Sequence, residues 1–348
     1  MESSTSGAKN RRLPPWLGSA VVYAISLGCL AWVYHDFDWQ AELPRVLRIH
    51  WAWIALAVVC DVFVYISQAW RWNLLLTPIK ELGLWRSVQA IYIGLFANEI
   101  LPLRSGEVIR CYLLAHWNHV PLPRIISSAL IERLIDGIWL MSGFAVISLL
   151  VPVGPGLRTA ALALGVVVLI LGALVAFAVF NRSFAHEVVT ANRFAGVLRS
   201  LIEGLNIMAR ARTFFPAALS SIVYLTLQVI PIFAIVRGYD VPFSLGDAAI
   251  TLVVIRLSTV VPGLPGNIGL FHAAAFTALN KLLGVDEQTA KSLAAVLFFM
   301  ITVPLLAAGA VALAATGLKI RELQRRATDE ASATSRIAST PEPSVGAK

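Results

Sequence analysis

A charged and broken stretch inside a long apolar region constrains this chain more than any other feature. The stretch covers residues 98–110 and follows an apolar, helix-like segment over 88–97. A charged side chain at bilayer depth costs about 2.5–3.5 kcal/mol on insertion scales. Several charges in one break are therefore tolerated only where they face protein, water or a polar ligand. The charged and helix-breaking residues of the stretch are Glu99, Pro102, Arg104, Gly106, Glu107 and Arg110.

The break has two interpretations. It is either a cytosolic loop between two membrane-spanning helices or the tip of a re-entrant hairpin, in which two half-helices meet at Leu101 and Pro102. The apolar segment that follows, 108–115, is much shorter than the roughly 20 residues that a crossing needs. We therefore predict a re-entrant hairpin and keep the loop as the alternative.

The composition is that of an integral membrane protein. Of the 348 residues, 58% are hydrophobic and 14% are charged, whereas a soluble domain carries about 25% charged residues. No segment is left for a soluble catalytic domain, and no Walker loop, HExxH motif or nucleophile elbow occurs. We therefore expect no enzyme, no cofactor and no metal. The net charge of +8 fits membrane topology and anionic lipid surfaces rather than nucleic acid.

The apolar runs predict an all-α polytopic membrane protein with about six transmembrane spans and two re-entrant broken-helix hairpins. Basic residues cluster on one side of this arrangement, which places both termini in the cytoplasm. The segment between the first two spans is a polar connector. We assign Trp51, Trp53 and the sequence Trp70-Arg71-Trp72 to interfacial belts. The predicted spans are about 16–34, 51–76, 125–151, 157–180, 214–236 and 293–318.

Three segments follow from this pattern. Residues 1–14 are a cytoplasmic N-terminal segment, 15–318 the transmembrane domain, and 319–348 a basic and then disordered cytoplasmic tail. Within the transmembrane domain, residues 187–212 have apolar side chains at helical spacing with arginines among them. That pattern is typical of a basic amphipathic helix lying on an anionic membrane face.

The second half of the chain repeats the first. A Pro-x-x-x-Gly pattern begins at residue 102 and recurs 160 residues later, at residue 262. In this register the second predicted span corresponds to the fifth, which enters the membrane from the opposite side. The repeat halves, about 51–151 and 213–316, are therefore predicted to be inverted. Many secondary transporters have this arrangement, with a binding site near the membrane midplane between two broken helices.

Three motifs stand in order along the chain. They are formed by Asn98, Pro102, Arg104, Gly106, Glu107 and Arg110, then by Glu132, Arg133 and Asp136, and then by Pro262, Pro265, Gly266, Asn267 and Gly269. In this order and spacing they resemble the lysylphosphatidylglycerol synthase/flippase transmembrane family, the membrane half of MprF-type proteins. The resemblance covers roughly residues 15–318 without the soluble synthase domain. It implies a stand-alone, multi-pass protein of a bacterial or archaeal cytoplasmic membrane, linked to moving lipids between leaflets.

The arginines beside the first break are candidates for a lipid head-group site. Arg104 and Arg110 can bind a lipid phosphate, helped by free N–H groups at half-helix ends. They can also pair with nearby carboxylates and set only the topology. Glu107 can neutralise these arginines or carry a coupling proton, and we favour neutralisation. Asn98 completes the predicted head-group residues of this break.

A second group of candidates lies downstream. Glu132 and Asp136 are four residues apart and share one helix face, with Arg133 turned away from it. Two carboxylates at membrane depth need a cationic partner, for which we name Arg256. Asn267 is a further candidate and shapes the second break together with its neighbours. The predicted structural breaks are Pro102, Gly106, Pro262, Pro265, Gly266 and Gly269.

Three functions remain open at this point. The first is a lipid translocase that moves an anionic phospholipid or a polyprenyl phosphate-linked lipid between leaflets. The second is an intramembrane transferase that uses Glu107, Glu132 or Asp136 as a base. The third is a protein that transports nothing and recruits a lipid-synthesis enzyme. The first is our prediction, and the sequence leaves the lipid, the direction, the energy source and the oligomeric state undetermined.

Overall fold

The computed structural model describes residues 15–101, 105–180, 193–258 and 267–317, together with Glu322 and Arg325. Within these ranges every regular element is a helix, which confirms the predicted all-α class. The elements are α1 (Pro15–Tyr34), α2 (Trp39–Leu47), α3 (Trp51–Leu76), α4 (Leu84–Ile100), α5 (Gly106–Asn118), α6 (Leu122–Leu150), α7 (Pro155–Phe180), α8 (Arg193–Ala209), α9 (Phe214–Gly238), α10 (Leu245–Ser258), α11 (Ile268–Phe276), a π-helix (Thr277–Leu282) and α12 (Glu287–Ala314).

Five of the described helices are long and apolar enough to cross a membrane, namely α3, α6, α7, α9 and α12. The shortest of them, α9, has 25 residues. At 1.5 Å per residue it is about 38 Å long, which exceeds a hydrocarbon core of about 30 Å. Helix α1 has 20 residues and corresponds to the remaining predicted span. Large apolar side chains on the outer faces, such as Leu149 and Leu169, are exposed as lipid-facing residues are.

An additional helix lies between α1 and α3. The sequence predicts a polar connector there, but residues 39–47 form α2. Its Glu42 is buried and accepts hydrogen bonds from Arg45 at 2.9 Å and from Tyr239 at 3.1 Å. Because these polar groups find partners within the protein, the segment forms an ordered helix in spite of its polar sequence.

Helices α4 and α5 form the first hairpin. Helix α4 ends at Ile100 and α5 begins at Gly106, and the two fold back so that Gly106 lies against Gly94 and Asn98. The main-chain N–H of Gly106 donates to Oδ1 of Asn98 at 2.9 Å, which closes the hairpin. With 17 and 13 residues, both helices are shorter than the roughly 20 residues of a span. Their re-entrant position in a bilayer stays a prediction.

Helices α10 and α11 flank the second break. Helix α11 is preceded by Asn267, whose φ of 48° is left-handed, a conformation that asparagine adopts more readily than most residues. Gly269 in α11 lies against the main chain of Ser26 in α1, so this glycine permits a close approach of the two helices. The head-group candidate Arg104 lies outside the described residues. So do four of the predicted break residues, namely Pro102, Pro262, Pro265 and Gly266.

The 160-residue offset maps helices α3 to α6 onto α9 to α12. The corresponding helices α3 and α9 pack along their length and run in opposite directions. Trp53 near the start of α3 contacts Phe233 near the end of α9, with ring centroids 5.9 Å apart. Arg71 near the end of α3 donates to Ser221 near the start of α9 at 3.0 Å. Corresponding helices of opposite direction support the predicted inverted repeat.

Helix α8 is the described part of the predicted amphipathic segment, whose first residues, 187–192, lie outside the described residues. Its Leu205 and Met208 are buried in the protein core. The main-chain carbonyl of Leu201 also accepts a hydrogen bond from Ser127 of α6 at 2.9 Å. Part of the apolar face is therefore covered by α6, whereas the sequence analysis assigned that face to the membrane surface.

Candidate functional site

A network of six charged side chains joins α3, α5 and α6. At its centre, Glu132 of α6 is fully buried. One carboxylate oxygen of Glu132 accepts a hydrogen bond from Arg71 of α3 at 2.9 Å, and the other accepts one from Arg110 of α5 at 2.9 Å. Both arginines are also buried, so each charge is compensated inside the protein. The six members of this ion-pair network are Arg71, Glu107, Arg110, Glu132, Arg133 and Asp136.

Further contacts fix the two buried arginines. The Nη1 group of Arg71 donates to Oδ1 of Asp136 at 2.5 Å, and its guanidinium carbon lies 4.7 Å from the ring centroid of Tyr224 in α9. The guanidinium of Arg110 stacks in the same way on Trp72, again at 4.7 Å. Desolvated cation–π contacts of this kind contribute about 2 kcal/mol. The aromatic rings therefore hold the charged centre in one geometry.

The outer part of the network is open to its surroundings. Glu107, whose side chain is 40% exposed, accepts hydrogen bonds from Arg110 at 3.0 Å and from Arg133 at 2.9 Å. The side chain of Arg133 is 45% exposed and lies 3.9 Å from Asp136. The favoured interpretation, in which Glu107 neutralises neighbouring arginines, agrees with these contacts. The network thus has a closed centre and an accessible rim.

The centre of the network lies deep within its helices. Glu132 is ten residues from the start of α6 at Leu122, which places it about 15 Å along the helix axis. Glu132 and Asp136 share one helix face, as predicted, because both contact Arg71. A charge at this depth is tolerated because it is paired.

The prediction that Arg256 is the partner of these two carboxylates is wrong. Arg71 and Arg110 hold both oxygens of Glu132, and Arg71 also holds Asp136. Arg256 instead donates from Nε to Oε1 of Gln228 at 3.0 Å. The two carboxylates and Arg256 therefore belong to separate sets of contacts.

Arg71 is the one member of the network that the sequence pattern did not predict. The adjacent tryptophans suggested an interfacial belt, but Arg71 and Trp72 are both completely buried, and only Trp70 is exposed. A usable signal was present in the sequence. Asp61, Gln68 and Arg71 recur at intervals that place them on one face of α3, and a polar face on a spanning helix indicates contact with protein or a polar site.

A second polar cluster lies on the other repeat half. Arg256 of α10 is exposed at its tip and donates to the hydroxyl of Tyr224 at 3.4 Å. Asp61 of α3, the helix that packs against α9, is buried. Because the ring of Tyr224 also stacks on Arg71, this tyrosine connects the two clusters across the contact between α3 and α9.

Three buried donors at these clusters have no acceptor within the part of the chain that the structure describes. They are Nε of Arg71, Nη1 of Arg110 and Nε2 of Gln228. A buried donor without a partner costs about 1–3 kcal/mol, and more when it is charged. All three groups donate, so the chemistry that would satisfy them is an oxygen-rich acceptor such as a phosphate, a carboxylate or water.

The remaining candidate residues have structural contacts. Asn98 and Gly106 close the first hairpin through their shared hydrogen bond. Asn267 is buried and left-handed at the start of α11, and its Oδ1 has no partner among the described residues. Gly269 packs on α1. These contacts assign Asn98 and Gly106 to shaping the hairpin, whereas the head-group candidates with accessible charge are Glu107, Arg133 and Arg256.

The fold and the network define a class of protein: a polytopic α-helical membrane protein with a paired polar centre. The chain belongs to the family described as Lysylphosphatidylglycerol synthase TM region, which matches residues 16–309. No curated protein and no solved structure shows a significant match to the chain. The family links this multi-pass membrane protein to membrane lipids and to their modification or flipping.

Proposed function

We propose that the protein is a lipid translocase, which moves an anionic lipid head group between leaflets along the contact between its repeat halves. The observation that carries this proposal is the set of three buried donors without acceptors, on Arg71, Arg110 and Gln228. The first two belong to one half and the third to the other. A phosphate group offers several oxygen acceptors and the negative charge that guanidinium groups bind best.

The accessible charges supply a way for a head group to enter. Arg133 lies at the rim of the first cluster and Arg256 at the rim of the second, and both are exposed. Arg133 binds Glu107, a partially exposed carboxylate. A lipid phosphate can take the place of Glu107 as the partner of Arg133 and Arg110. That exchange leaves no buried charge unpaired, which keeps its free-energy cost low.

The broken helices add to this attraction. Helices α5 and α11 both begin at a break, and the N-cap side chains of Ser105 and Asn267 accept no hydrogen bond there. At the start of α5 one N–H, that of Gly106, is already bound by Asn98. The N-terminus of a helix carries about half a positive charge and exposes free N–H groups. In inverted-repeat transporters such half-helix ends face the substrate near the midplane. We place the anionic head group between these two ends.

Transport fits the charged centre better than group transfer does. A carboxylate that is paired with guanidinium groups keeps its negative charge and takes up a proton less readily. Both oxygens of Glu132 already accept hydrogen bonds from arginines, and Asp136 accepts one from Arg71. We therefore propose that these carboxylates hold arginines in place and have no catalytic role. A role limited to recruiting a lipid-synthesis enzyme needs no buried head-group site.

The proposed substrates are an anionic phospholipid and a polyprenyl phosphate-linked lipid. We place the protein in a bacterial or archaeal cytoplasmic membrane, with both termini in the cytoplasm, because of the basic residues on that side. The polar clusters recognise phosphate and leave the apolar chains in the bilayer. The proposed substrates therefore share a phosphate-bearing head group.

The test is leaflet exchange of fluorescent phosphatidylglycerol and of a labelled polyprenyl phosphate in proteoliposomes. Arg133→Gln and Arg256→Gln remove exposed charges, so both variants should fold. We expect each to slow exchange about tenfold or more, since a hydrogen bond to a charged group contributes about 1.5–3 kcal/mol and 1.4 kcal/mol is a factor of ten. Arg158→Gln, an exposed arginine at the start of α7, is the matched control and should exchange like the wild type.

Two results would contradict the proposal. The first is the absence of exchange of either lipid by folded wild-type protein. The second is exchange by Arg133→Gln and Arg256→Gln at the rate of the Arg158→Gln control. Formation of a modified lipid by the purified protein, supplied with lipid and a group donor, would favour the transferase instead.

A further inference from the structure

Two adjoining cavities lie at the end of the molecule where α3 begins and α9 ends. Their volumes are about 320 Å³ and 380 Å³, and Asp240 lines both of them. Pockets that bind small ligands have volumes of about 300–1,000 Å³. We call the pair the end cavity, and the residues that matter for its chemistry are Arg45, Arg48, His50, Trp53, Arg237 and Asp240.

The end cavity carries unpaired positive charge. Arg48 and Arg237 are exposed, and in the described part of the chain neither side chain has a hydrogen bond or an ion pair. Arg45 is paired with Glu42 at 2.9 Å, and His50 lies 3.3 Å from Asp240. Glu42 is therefore paired, and Asp240, whose side chain is 77% exposed, is the one carboxylate among the described residues that line the cavity. The two guanidinium groups of Arg48 and Arg237 outnumber it.

The tyrosine in the wall of the cavity adds no negative charge. Burial raises the pKa of Tyr239, which lies just beyond the end of α9, to about 12. Its hydroxyl therefore stays protonated at neutral pH and donates to Glu42 at 3.1 Å. This hydrogen bond holds the carboxylate of Glu42 on the protein side, away from a bound anion.

The cavity is built on fixed backbone. The main-chain N–H of His50 donates to the carbonyl of Gly238 at 3.0 Å, which joins the start of α3 to the end of α9. A side chain on Gly238 would meet Cβ of Trp53 at 3.0 Å, so glycine allows this close approach without displacing Trp53. Asp240 follows in a left-handed conformation, with φ of 59°. These contacts hold the cavity open without a ligand.

The end cavity is far from the ion-pair network. Trp51 and Arg71 are twenty residues apart on α3, which corresponds to about 30 Å along the helix. This distance equals the thickness of the hydrocarbon core. Trp51 is 62% exposed beside the cavity, and tryptophans are enriched at the level of lipid head groups. The cavity therefore lies where the phosphates of one leaflet are found.

We propose that the end cavity is a second binding site, which binds a phosphate group. The ligand is either the phosphate of a lipid in that leaflet or free inorganic phosphate. Arg48 lines the larger of the two cavities and Arg237 the smaller, and each guanidinium group offers donors to the phosphate oxygens. The volume of the cavity leaves room for the glycerol or the sugar attached to the phosphate. A role of this site as one end of a translocation path depends on the proposed function. The binding of phosphate at the site does not.

The test reads binding at this site alone. In a full-length chain with Cys29, Cys60 and Cys111 replaced by serine or alanine, a fluorophore is attached to Leu245→Cys. Leu245 is 56% exposed and lies three residues beyond Pro242 in the wall of the cavity. The labelled protein is titrated in detergent micelles with short-chain phosphatidylglycerol, with short-chain phosphatidylcholine and with inorganic phosphate.

We expect a saturable response to phosphatidylglycerol that weakens at least tenfold in the double variant Arg48→Gln/Arg237→Gln. Arg158→Gln, at the same end of the molecule but outside the cavity, should respond like the parent. An equally strong response to inorganic phosphate identifies free phosphate as the ligand. A response to phosphatidylcholine as strong as that to phosphatidylglycerol overturns the proposal.

Two further results also overturn it: the absence of any saturable response, and equal affinity in the double variant and the parent. Leaflet exchange by the same proteins separates this inference from the proposed function. Exchange without binding at the cavity leaves the translocase standing and removes the second site. Saturable, arginine-dependent binding without exchange would support the second site and contradict the translocase.

Discussion

At the scale of single residues, Glu132 has the largest energetic influence on the fold. It is completely buried and receives a guanidinium group on each carboxylate oxygen. Replacing a complete buried ion pair by apolar residues can be neutral, whereas removing one partner leaves an uncompensated charge. Loss of Glu132 would leave two buried arginines without their shared anion. Glu107 differs because its side chain is 40% exposed, so water can replace it.

The first prediction compares these two carboxylates. Glu132→Gln should lower the free energy of unfolding by about 3–5 kcal/mol, because the amide has nearly the same shape but no charge for Arg71 and Arg110. Glu107→Gln should lower it by about 1 kcal/mol or less, since exposed ion pairs contribute little. Denaturant unfolding in mild detergent measures both. Equal losses in the two variants would contradict the assigned centre and rim of the network.

The sequence predicted most members of the network but not its central pairing. Glu107, Arg110, Glu132 and Asp136 stood out because charges within apolar runs must have partners. The identity of the partner depends on how distant helices pack, which spacing along one helix does not report. Arg71 and Glu132 are 61 residues apart in the chain. The neighbouring tryptophans therefore led to the wrong interpretation of Arg71.

At the scale of elements, the hairpin of α4 and α5 depends on close contact between two glycines. A side chain on Gly106 would overlap the carbonyl oxygen of Gly94 and the amide of Asn98. The first of these obstacles is main chain and cannot rotate away. The two helices could accommodate it only by moving apart, which would weaken the hydrogen bond that closes the hairpin.

The second prediction tests this contact. Gly106→Ala should lower the free energy of unfolding by about 1–3 kcal/mol or more, the usual range for overpacking, and should also reduce lipid exchange. Gly83→Ala is the matched control, because a side chain at Gly83, just before α4, meets nothing within 4 Å. Thermal unfolding and leaflet exchange of both variants provide the measurement. A Gly106→Ala protein as stable and active as Gly83→Ala would show that the hairpin tolerates separation.

Hydropathy was sufficient to predict the long helices that the structure describes. It did not predict α2, because this segment has no long apolar run and its Glu42 is buried through contacts with Arg45 and with the remote Tyr239. For α8 the prediction was incomplete, because the same pattern of apolar residues is expected whether lipid or α6 covers that face. Side-chain periodicity shows that a face is buried and does not show what buries it.

At the scale of the whole molecule, the antiparallel packing of α3 and α9 fixes which loops share a side. The loop after α3 and the end of α5 lie together, because Lys80 donates to the carbonyl of Asn118 at 2.8 Å. The end cavity lies at the opposite end of α3. With the cytoplasmic termini that the basic residues predict, the loop after α3 faces the cytoplasm and the end cavity faces outward.

The third prediction follows from this arrangement. In a cysteine-free background, Glu81→Cys should react with a membrane-impermeant maleimide only after the cells are opened, whereas Pro242→Cys should react in intact cells. Both positions are exposed in the structure. Labelling after denaturation controls for the reactivity of each cysteine. Reaction of both cysteines from the same side would contradict the arrangement, and a reversed pattern would invert the predicted orientation of the termini.

The ion-pair network has a consequence for the electrical behaviour of the protein. Its three arginines and three carboxylates add up to zero formal charge. Moving one elementary charge through a membrane potential of 100 mV changes the free energy by about 2.3 kcal/mol. A balanced cluster can shift in that field with almost no electrical work. The voltage dependence of transport would then come from the charge of the lipid that the protein carries.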